Sequence, residues 1–240
     1  MELGAKVITP EEKEQLLAAA QLGESTGIFE IGGKIVDLTA SLVSENGSST
    51  RVTSFSEPVA VTVDLSDLNL TAEQIKELCG TRLEKDAAGN ITVVKLGGTY
   101  DPVTETFTFY TDKFSFYTVM QVKNLATISV TIDNNIAVVN GEYQRIDVPP
   151  TIINNRTMVP LRFIGEALGA EINWMAETRT VIMALNGREV KMIIDQPTSG
   201  MDTPPTIIEG RTLVPVRFIS ESLGADVVWY PSNKTVSIVK

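Results

Sequence analysis

The sequence contains no histidine and only one cysteine, Cys79. Without histidine the commonest general base is missing, and catalytic sites of the Ser-His-Asp or Cys-His type are excluded. One cysteine cannot form an internal disulfide, and the chain has no Cys/His set that could hold zinc. We interpret Cys79 as a small, half-buried residue that closes a short helix before Gly80, rather than as a nucleophile.

Long apolar runs and clusters of basic residues are also missing. No stretch approaches the ~18 apolar residues that suggest a membrane-spanning helix, so we expect no membrane insertion. The opening residues MELGAKVITPEEKEQ lack the apolar core of a signal peptide. We therefore expect an exported parent protein to be longer than this chain. The net charge of −10 disfavours nucleic-acid binding, because phosphate contacts need clustered Lys and Arg.

The charge is unevenly distributed along the chain. Residues 1–122 carry 9 basic and 18 acidic residues, whereas residues 123–240 carry 11 and 12. The break falls at Lys123-Asn124-Leu125-Ala126-Thr127, between two strand-like runs, which is typical of a domain boundary. We predict domains over 1–123 and 124–240, in a mainly β protein with some α+β character.

The first half has the pattern of a β-sandwich with short helices. A capping box of Thr9 and Glu12 begins a helix that runs to Gly23, and a second short helix spans Thr71–Leu78. Turn signals such as Asn46-Gly47 separate the strand-like runs. The predicted strands are Ile28–Ile31, Lys34–Ser44, Val59–Val63, Ile91–Leu96 and Thr104–Thr111.

Several strings in this half support the same conclusion. They are Glu57–Val63, Leu96–Asp101, Phe107–Phe109 and Thr111–Ser115. These strings resemble β-sandwich modules of large Gram-positive surface proteins. The resemblance implies a spacer or adhesive role rather than chemistry.

The second half contains an internal duplication. Residues 147–183 align with residues 202–238 without a gap, 55 positions apart, and 20 of the 37 aligned positions are identical. Identity at this level indicates a tandem repeat of one structural unit. We predict two copies, at about 128–194 and 195–240.

Each copy has the pattern of a helix followed by antiparallel strands. Pro160 and Pro215 are suited to the first helical position, where a missing N–H is tolerated. In the first copy, Leu161, Ile164 and Leu168 lie on one helical face and are predicted core. Glycines that follow each helix suit a left-handed stop, at Gly169 and Gly224. We expect both copies to share one curved antiparallel sheet with the helices packed on it.

The repeated motif also carries a family resemblance. It reads Arg-Thr-(Met/Leu)-Val-Pro-(Leu/Val)-Arg-Phe-Ile-x-Glu-x-Leu-Gly-Ala, followed by Trp174 or Trp229. This motif, over about residues 128–239, resembles the N-terminal domain of copper amine oxidases. The resemblance implies an α+β stalk module that recurs in cell-wall-associated and secreted proteins of spore-forming Gram-positive bacteria. Copper in those oxidases needs imidazole ligands, so we expect no copper, no other cofactor and no enzymatic activity.

Three aromatic residues are candidates for ligand contact. Trp174 and Trp229 occupy the same repeat position among apolar neighbours, and we interpret both as core residues. The alternative is that they stack on sugar rings. Tyr230 occurs in only one copy, and we expect it to be the more exposed aromatic residue.

The repeated charged residues are interpreted as architecture rather than as ligand-binding groups. Arg156 and Arg211 precede the helices and are expected to tie loop carbonyls or the helix glutamates, Glu166 and Glu221. Calcium at Asp133-Asn134-Asn135 or at Asp64 and Asp67 is an alternative to ordinary turns and caps, which we favour because neither string forms an EF-hand loop.

Together these patterns favour a non-catalytic structural or interaction module. We expect it to belong to an exported protein at the cell surface or cell wall, as a spacer or a platform for protein or polysaccharide partners. The alternative is a carbohydrate-binding module for cell-wall or plant polysaccharide. The second copy departs from the first at residues 195–201, so we expect any partner surface near that loop.

Overall fold

The computed structural model describes residues 2–43 and 48–240, so the predicted turn at Asn46-Gly47 lies outside the described residues. Contacts divide the chain into two compact units, Met1–Leu125 and Ala126–Lys240. The prediction of a mainly β fold is confirmed, since 51% of the residues are in strands and 13% in helices.

The first unit is built from two antiparallel sheets. The larger sheet has the order β1-β3-β10-β6-β7, with β2 beside β10 and β4 beside β3, and the smaller has the order β5-β9-β8. The elements of this unit are β1 (Glu2–Val7), α1 (Pro10–Ala19), β2 (Ile28–Glu30), β3 (Val36–Val43), β4 (Ser49–Val52), β5 (Ser54–Asp64), α2 (Ala72–Lys76), β6 (Leu78–Lys85), β7 (Ile91–Gly97), β8 (Thr99–Asp101), β9 (Thr106–Lys113) and β10 (Phe116–Val122).

The two sheets pack face to face, as a β-sandwich does. Phe109 of β9 lies so close to Gly80 of β6 that an added Cβ would come within 2.4 Å of its ring. The rings of Phe109 and Tyr117 are 5.8 Å apart. The Tyr117 hydroxyl donates to the backbone oxygen of Lys113 at 2.6 Å and lies 2.7 Å from the Thr111 hydroxyl. This contact fixes the chain where it crosses from one sheet to the other.

Helix α1 begins as predicted and ends earlier. The capping box of Thr9 and Glu12 is present, with both reciprocal hydrogen bonds. The helix ends at Ala19 rather than before Gly23, because Gln21 adopts a left-handed backbone with φ of 49° and turns the chain.

Cys79 lies in a strand and not, as we predicted, at the end of a helix. Helix α2 ends at Lys76, and Cys79 is a fully buried residue of strand β6 whose thiol donates to the Gly80 oxygen. Six consecutive residues of this strand, Leu78–Leu83, are buried. A strand covered on both faces shows no alternation of apolar and polar residues. The alternating pattern used to predict strands therefore does not reveal it.

A charged cluster connects the two sheets of the first unit, with Arg82 and Glu84 on β6 and Asp112 and Lys113 on β9. The side chain of Arg82 is only 6% exposed, and its Nε donates to Glu84 Oε1 at 2.8 Å. Its Nη1 lies 3.6 Å from Asp112 Oδ1, an electrostatic contact too long for a hydrogen bond. Lys113 Nζ reaches the same Glu84 oxygen at 3.2 Å. Burial raises the pKa of Glu84, but the charges of Arg82 and Lys113 outweigh it and leave that pKa below its ordinary value.

The second unit contains three antiparallel sheets rather than the single curved sheet we predicted. Their orders are β13-β12-β11-β22-β21, β14-β15-β20-β19 and β16-β17-β18. The elements of this unit are β11 (Thr127–Thr131), β12 (Ile136–Val139), β13 (Glu142–Arg145), β14 (Thr151–Ile153), β15 (Arg156–Pro160), α3 (Leu161–Leu168), β16 (Glu171–Met175), β17 (Thr180–Leu185), β18 (Arg188–Ile193), β19 (Thr206–Ile208), β20 (Arg211–Pro215), α4 (Val216–Ser222), β21 (Asp226–Tyr230) and β22 (Thr235–Val239). A helix interrupts each copy after β15 or β20, which sends the following strands into a separate sheet.

Strand pairing relates the two copies by an approximate two-fold axis. β18 pairs with β17, and in the same way β11 pairs with β22. The Ile194 N–H donates to the backbone oxygen of Arg179, and the Ile132 N–H donates to the backbone oxygen of Lys234, each at 3.0 Å. We call the sheet β14-β15-β20-β19 the central sheet, because both copies contribute two strands to it. In this sheet Val159 lies opposite Val214, its own repeat equivalent. The structural repeats therefore divide before β18, and the hairpin β12–β13 has no equivalent strands in the second copy.

The helix predictions for the second unit are confirmed except at the prolines. Leu161, Ile164 and Leu168 are all at most 4% exposed and belong to one core. Gly169 ends α3 with a left-handed φ of 78°. Pro160 and its equivalent Pro215 are not the first helical residues: each is the last residue of a strand and the N-cap of the helix that follows.

One buried position differs in polarity between the copies. A Cβ at Gly165 would lie 2.7 Å from both Ile172 Cδ1 and Met183 Cε. The second copy has Val227 in place of Ile172 and accommodates Ser220 in place of Gly165. The Ser220 hydroxyl is fully buried and has no hydrogen-bond partner among the described residues.

Replacing Ser220 by alanine is expected to stabilise the protein by about 1 kcal/mol, because an unsatisfied buried hydroxyl is removed and alanine is the better helix former. Urea unfolding measures this change, and Ser232→Ala in an exposed turn is the control, with no change expected. If Ser220→Ala instead lowers the stability by about 1 kcal/mol, the hydroxyl has a hydrogen-bond partner and the prediction is wrong.

Candidate binding groove on the second unit

The repeated arginines that precede the helices bind across the boundary between the copies. Arg156 of copy one donates from Nε to Asp202 of copy two at 2.9 Å, and its Nη2 forms a second, short contact with the same carboxylate. Arg211 of copy two donates to Asp147 of copy one at 2.9 and 2.8 Å. Of the expected partners, a loop carbonyl is used, since Arg156 Nη1 also donates to the Asn155 oxygen at 3.3 Å. The two arginines do not use Glu166 and Glu221. A reciprocal exchange of this kind ties each copy to the other.

An open groove of about 1020 Å³ lies on the second unit. Four parts of the chain line it: the β14–β15 hairpin, helix α4, strands β21 and β22, and the segment 200–202. Residues that line it include Ile152, Arg156, Asp202, Phe218, Glu221 and Trp229. The segment 200–202 overlaps the end of the loop at residues 195–201, near which we expected a partner surface, and the buried Met201 anchors it in the core.

The structure separates the three aromatic candidates. Trp229 is half-buried, packs against the core and lines the groove. Trp174, at the same repeat position, is 44% exposed on the edge strand β16, so its interpretation as a core residue is wrong, and it does not line the groove. Tyr230 is only 8% exposed, so the expectation that it is the more exposed aromatic residue is wrong. On a strand, neighbouring side chains point to opposite faces, so Trp229 and Tyr230 cannot share the groove.

The charges that line the groove balance one another. Its charged side chains are two arginines and two carboxylates, and each arginine is paired with one carboxylate. Arg217 Nη1 donates to Glu221 at 3.0 Å and to the Val227 carbonyl at 3.2 Å. The hydrogen bond from Arg156 holds the pKa of the Asp202 carboxyl below its ordinary value. The groove therefore combines apolar side chains with charged groups whose charges cancel.

Sequence reasoning missed several residues of this groove. Phe218 was not singled out, although it lies in the repeated motif. Ile152 and its equivalent Ile207, which were not singled out either, are 50% and 46% exposed on edge strands. An apolar residue in a three-residue strand that ends at a tight turn is the only sequence signal for this exposure.

The residues considered for calcium lie in local turns. Within residues 2–43 and 48–240, no group of three or more His, Cys, Asp or Glu side chains is placed to hold an ion. At the calcium candidates the oxygens serve local turns. Asp64 accepts from the Ser66 N–H at 2.9 Å, and Asn134 accepts from the Ile136 N–H at 2.9 Å.

Comparison with known proteins agrees with the motif. The model of the copper amine oxidase N-terminal domain matches residues 100–183 and 192–240, which together exceed half of the chain. The match begins inside the first unit, and its gap, residues 184–191, covers the end of β17, the turn and most of β18. No curated protein and no solved structure matches the chain. In the described part of the chain, no helix has the length and apolarity needed to cross a membrane. The chain belongs to the copper amine oxidase N-terminal domain family, a family of non-catalytic domains.

Proposed function

We propose that this chain is a structural and interaction module of an exported bacterial protein, held at the cell surface or cell wall as a spacer or platform. The observation that carries the proposal is the reciprocal exchange between the copies, in which Arg156 binds Asp202 and Arg211 binds Asp147. The repeated charged residues join the two copies and are not gathered around a reaction centre. This use of the repeated charges suits a module that carries a partner or separates other domains.

Copper, which appears in the family name, does not fit the residues of this chain. Copper(II) prefers nitrogen ligands, chiefly imidazole, and the sequence contains no histidine. The module would therefore act without the metal.

Hydrolysis by a pair of carboxylates is also disfavoured by the groove. Such a mechanism needs one carboxylic acid that keeps its proton near neutral pH. Asp202 and Glu221 are each paired with an arginine, and the pKa of Asp202 is lowered rather than raised. Asp202 is therefore poorly suited to donate a proton.

Polysaccharide binding is the second candidate function, and one observation favours it. The groove places the aromatic rings of Trp229 and Phe218 beside polar side chains, and binding sites commonly combine an apolar lining with a few polar groups. A polysaccharide-binding module binds the glycan directly, whereas a platform module need not bind it.

Cell fractionation tests the proposed function. We expect the full-length protein in the cell-wall fraction or the medium, and we expect the purified chain to release no sugar from peptidoglycan or cellulose. Confinement to the cytoplasm would contradict the proposal. So would sugar release that disappears in Glu221→Gln.

A further inference from the structure

We infer that the groove is the ligand site of this module and that it binds a neutral glycan chain, with a sugar ring against Trp229. The inference rests on the proposed function, because it names the partner class of a module held at the cell wall. It is supported by the form of the groove, by its charge and by the difference between the two copies.

The form of the groove suits an extended, semi-rigid ligand. It is open to solvent, and it lies between parts of the chain that are held by strand pairing: the β14–β15 hairpin on one side and β21–β22 on the other. Trp229 lies opposite Val236 in the strand ladder, and both line the groove. A half-buried indole supported in this way has little conformational freedom to lose when a ligand covers it.

The charge of the groove selects a neutral occupant. Arg156 and Arg217 are the cations of the lining, and each is already neutralised by a carboxylate. An anionic ligand would have to displace Asp202 or Glu221, and a cationic ligand would have to displace an arginine. Hydroxyl groups can instead add hydrogen bonds to these pairs without separating them. A neutral polyhydroxyl ligand therefore fits the lining better than a charged one.

The repeat provides matched controls for this site. Trp174 occupies the position of Trp229 in the other copy but does not line the groove. Ile207 occupies the position of Ile152, with almost the same exposure, and also does not line it. A ligand in the groove therefore depends on Trp229 and Ile152 and not on their equivalents.

Intrinsic fluorescence tests the inference directly, because the chain contains only two tryptophans. In Trp174→Phe, all tryptophan emission comes from Trp229. We expect cellohexaose or chitohexaose to change that emission saturably in the millimolar range or below. Calorimetry should show that Trp229→Ala lowers the affinity about tenfold or more, as expected for a central aromatic contact, whereas Trp174→Ala changes it about twofold or less.

A second pair of variants keeps the test valid if Trp229→Ala disturbs the core. Ile152→Arg places a long side chain at the groove from a half-exposed position, and we expect it to lower the affinity about tenfold. Ile207→Arg makes the same change outside the groove and is expected to leave binding intact. Circular dichroism establishes that both variants are folded.

Three outcomes would overturn the inference: no saturable binding of either neutral oligosaccharide, tighter binding of hexagalacturonate, or equal losses in the groove variants and their controls. Saturation of the groove by an extended peptide instead would assign the site to a polypeptide partner. Failure of these titrations leaves the fractionation result unchanged, so the inference and the proposed function can fail separately.

Discussion

Replacing Arg82 by alanine is expected to lower the free energy of unfolding of the first unit by about 2–3 kcal/mol, less than the loss of one partner from a fully buried ion pair. The Arg82 side chain is 6% exposed, whereas those of its partners Glu84 and Asp112 are 39% and 32% exposed. Without Arg82 both carboxylates lose a cation, and Lys113 still pairs with Glu84.

The pH dependence of this loss distinguishes an electrostatic effect from lost packing. The pKa of Glu84 is lowered in the folded state, so its ion pairs contribute stability above the ordinary pKa of 4.5. That contribution is lost as the pH falls through the folded pKa. The difference between wild type and Arg82→Ala should therefore shrink in acid, as measured by urea unfolding at several pH values.

Two results would bear on this prediction. The control Lys113→Ala removes a side chain that is 49% exposed, and we expect it to cost less than about 1 kcal/mol. A difference between wild type and Arg82→Ala that is the same at neutral and acid pH would contradict the electrostatic explanation.

Replacing Leu213 by alanine is expected to destabilise the second unit by about 2–5 kcal/mol, and Met158→Ala should have a similar effect. These residues are repeat equivalents, both fully buried, and they share a small apolar cluster under the central sheet. A cavity at either position removes contacts that belong to both copies.

The double variant tests whether the two copies form one cooperative unit. Because Met158 and Leu213 contact the same cluster, we expect their effects to depart from additivity by about 0.5–3 kcal/mol. Ile207→Ala, at a position 46% exposed, is the control and should cost little. Strictly additive losses, or two separate unfolding transitions for the two copies, would contradict the arrangement around the two-fold axis.

Features governed by local contacts could be predicted from the sequence. The capping box of Thr9 and Glu12, the left-handed stop at Gly169 and the buried stripe of Leu161, Ile164 and Leu168 are all confirmed. In each case the decisive contacts lie within one helix or its ends, so residue type and spacing are enough. The repeat also identified the family, because twenty identities at a fixed spacing do not depend on tertiary contacts.

Features governed by burial on both faces could not be predicted. Strands β6 and β10 were missed because buried runs such as Leu78–Leu83 carry no alternation. The burial of Tyr230 was missed for a related reason, since its occurrence in one copy says nothing about which face of β21 is covered.

The sequence by itself thus determined that the second half is a duplicated, histidine-free module of the copper amine oxidase N-terminal domain family. Only the tertiary structure decided that Arg156 and Arg211 bind the aspartates of the opposite copy. It also decided that Trp229 lines a groove while Trp174 lies on an exposed edge. The physical reason is that repeat equivalents have the same local sequence preferences but different neighbours. Strand pairing across the two-fold axis sets those neighbours, and no spacing within one copy encodes it.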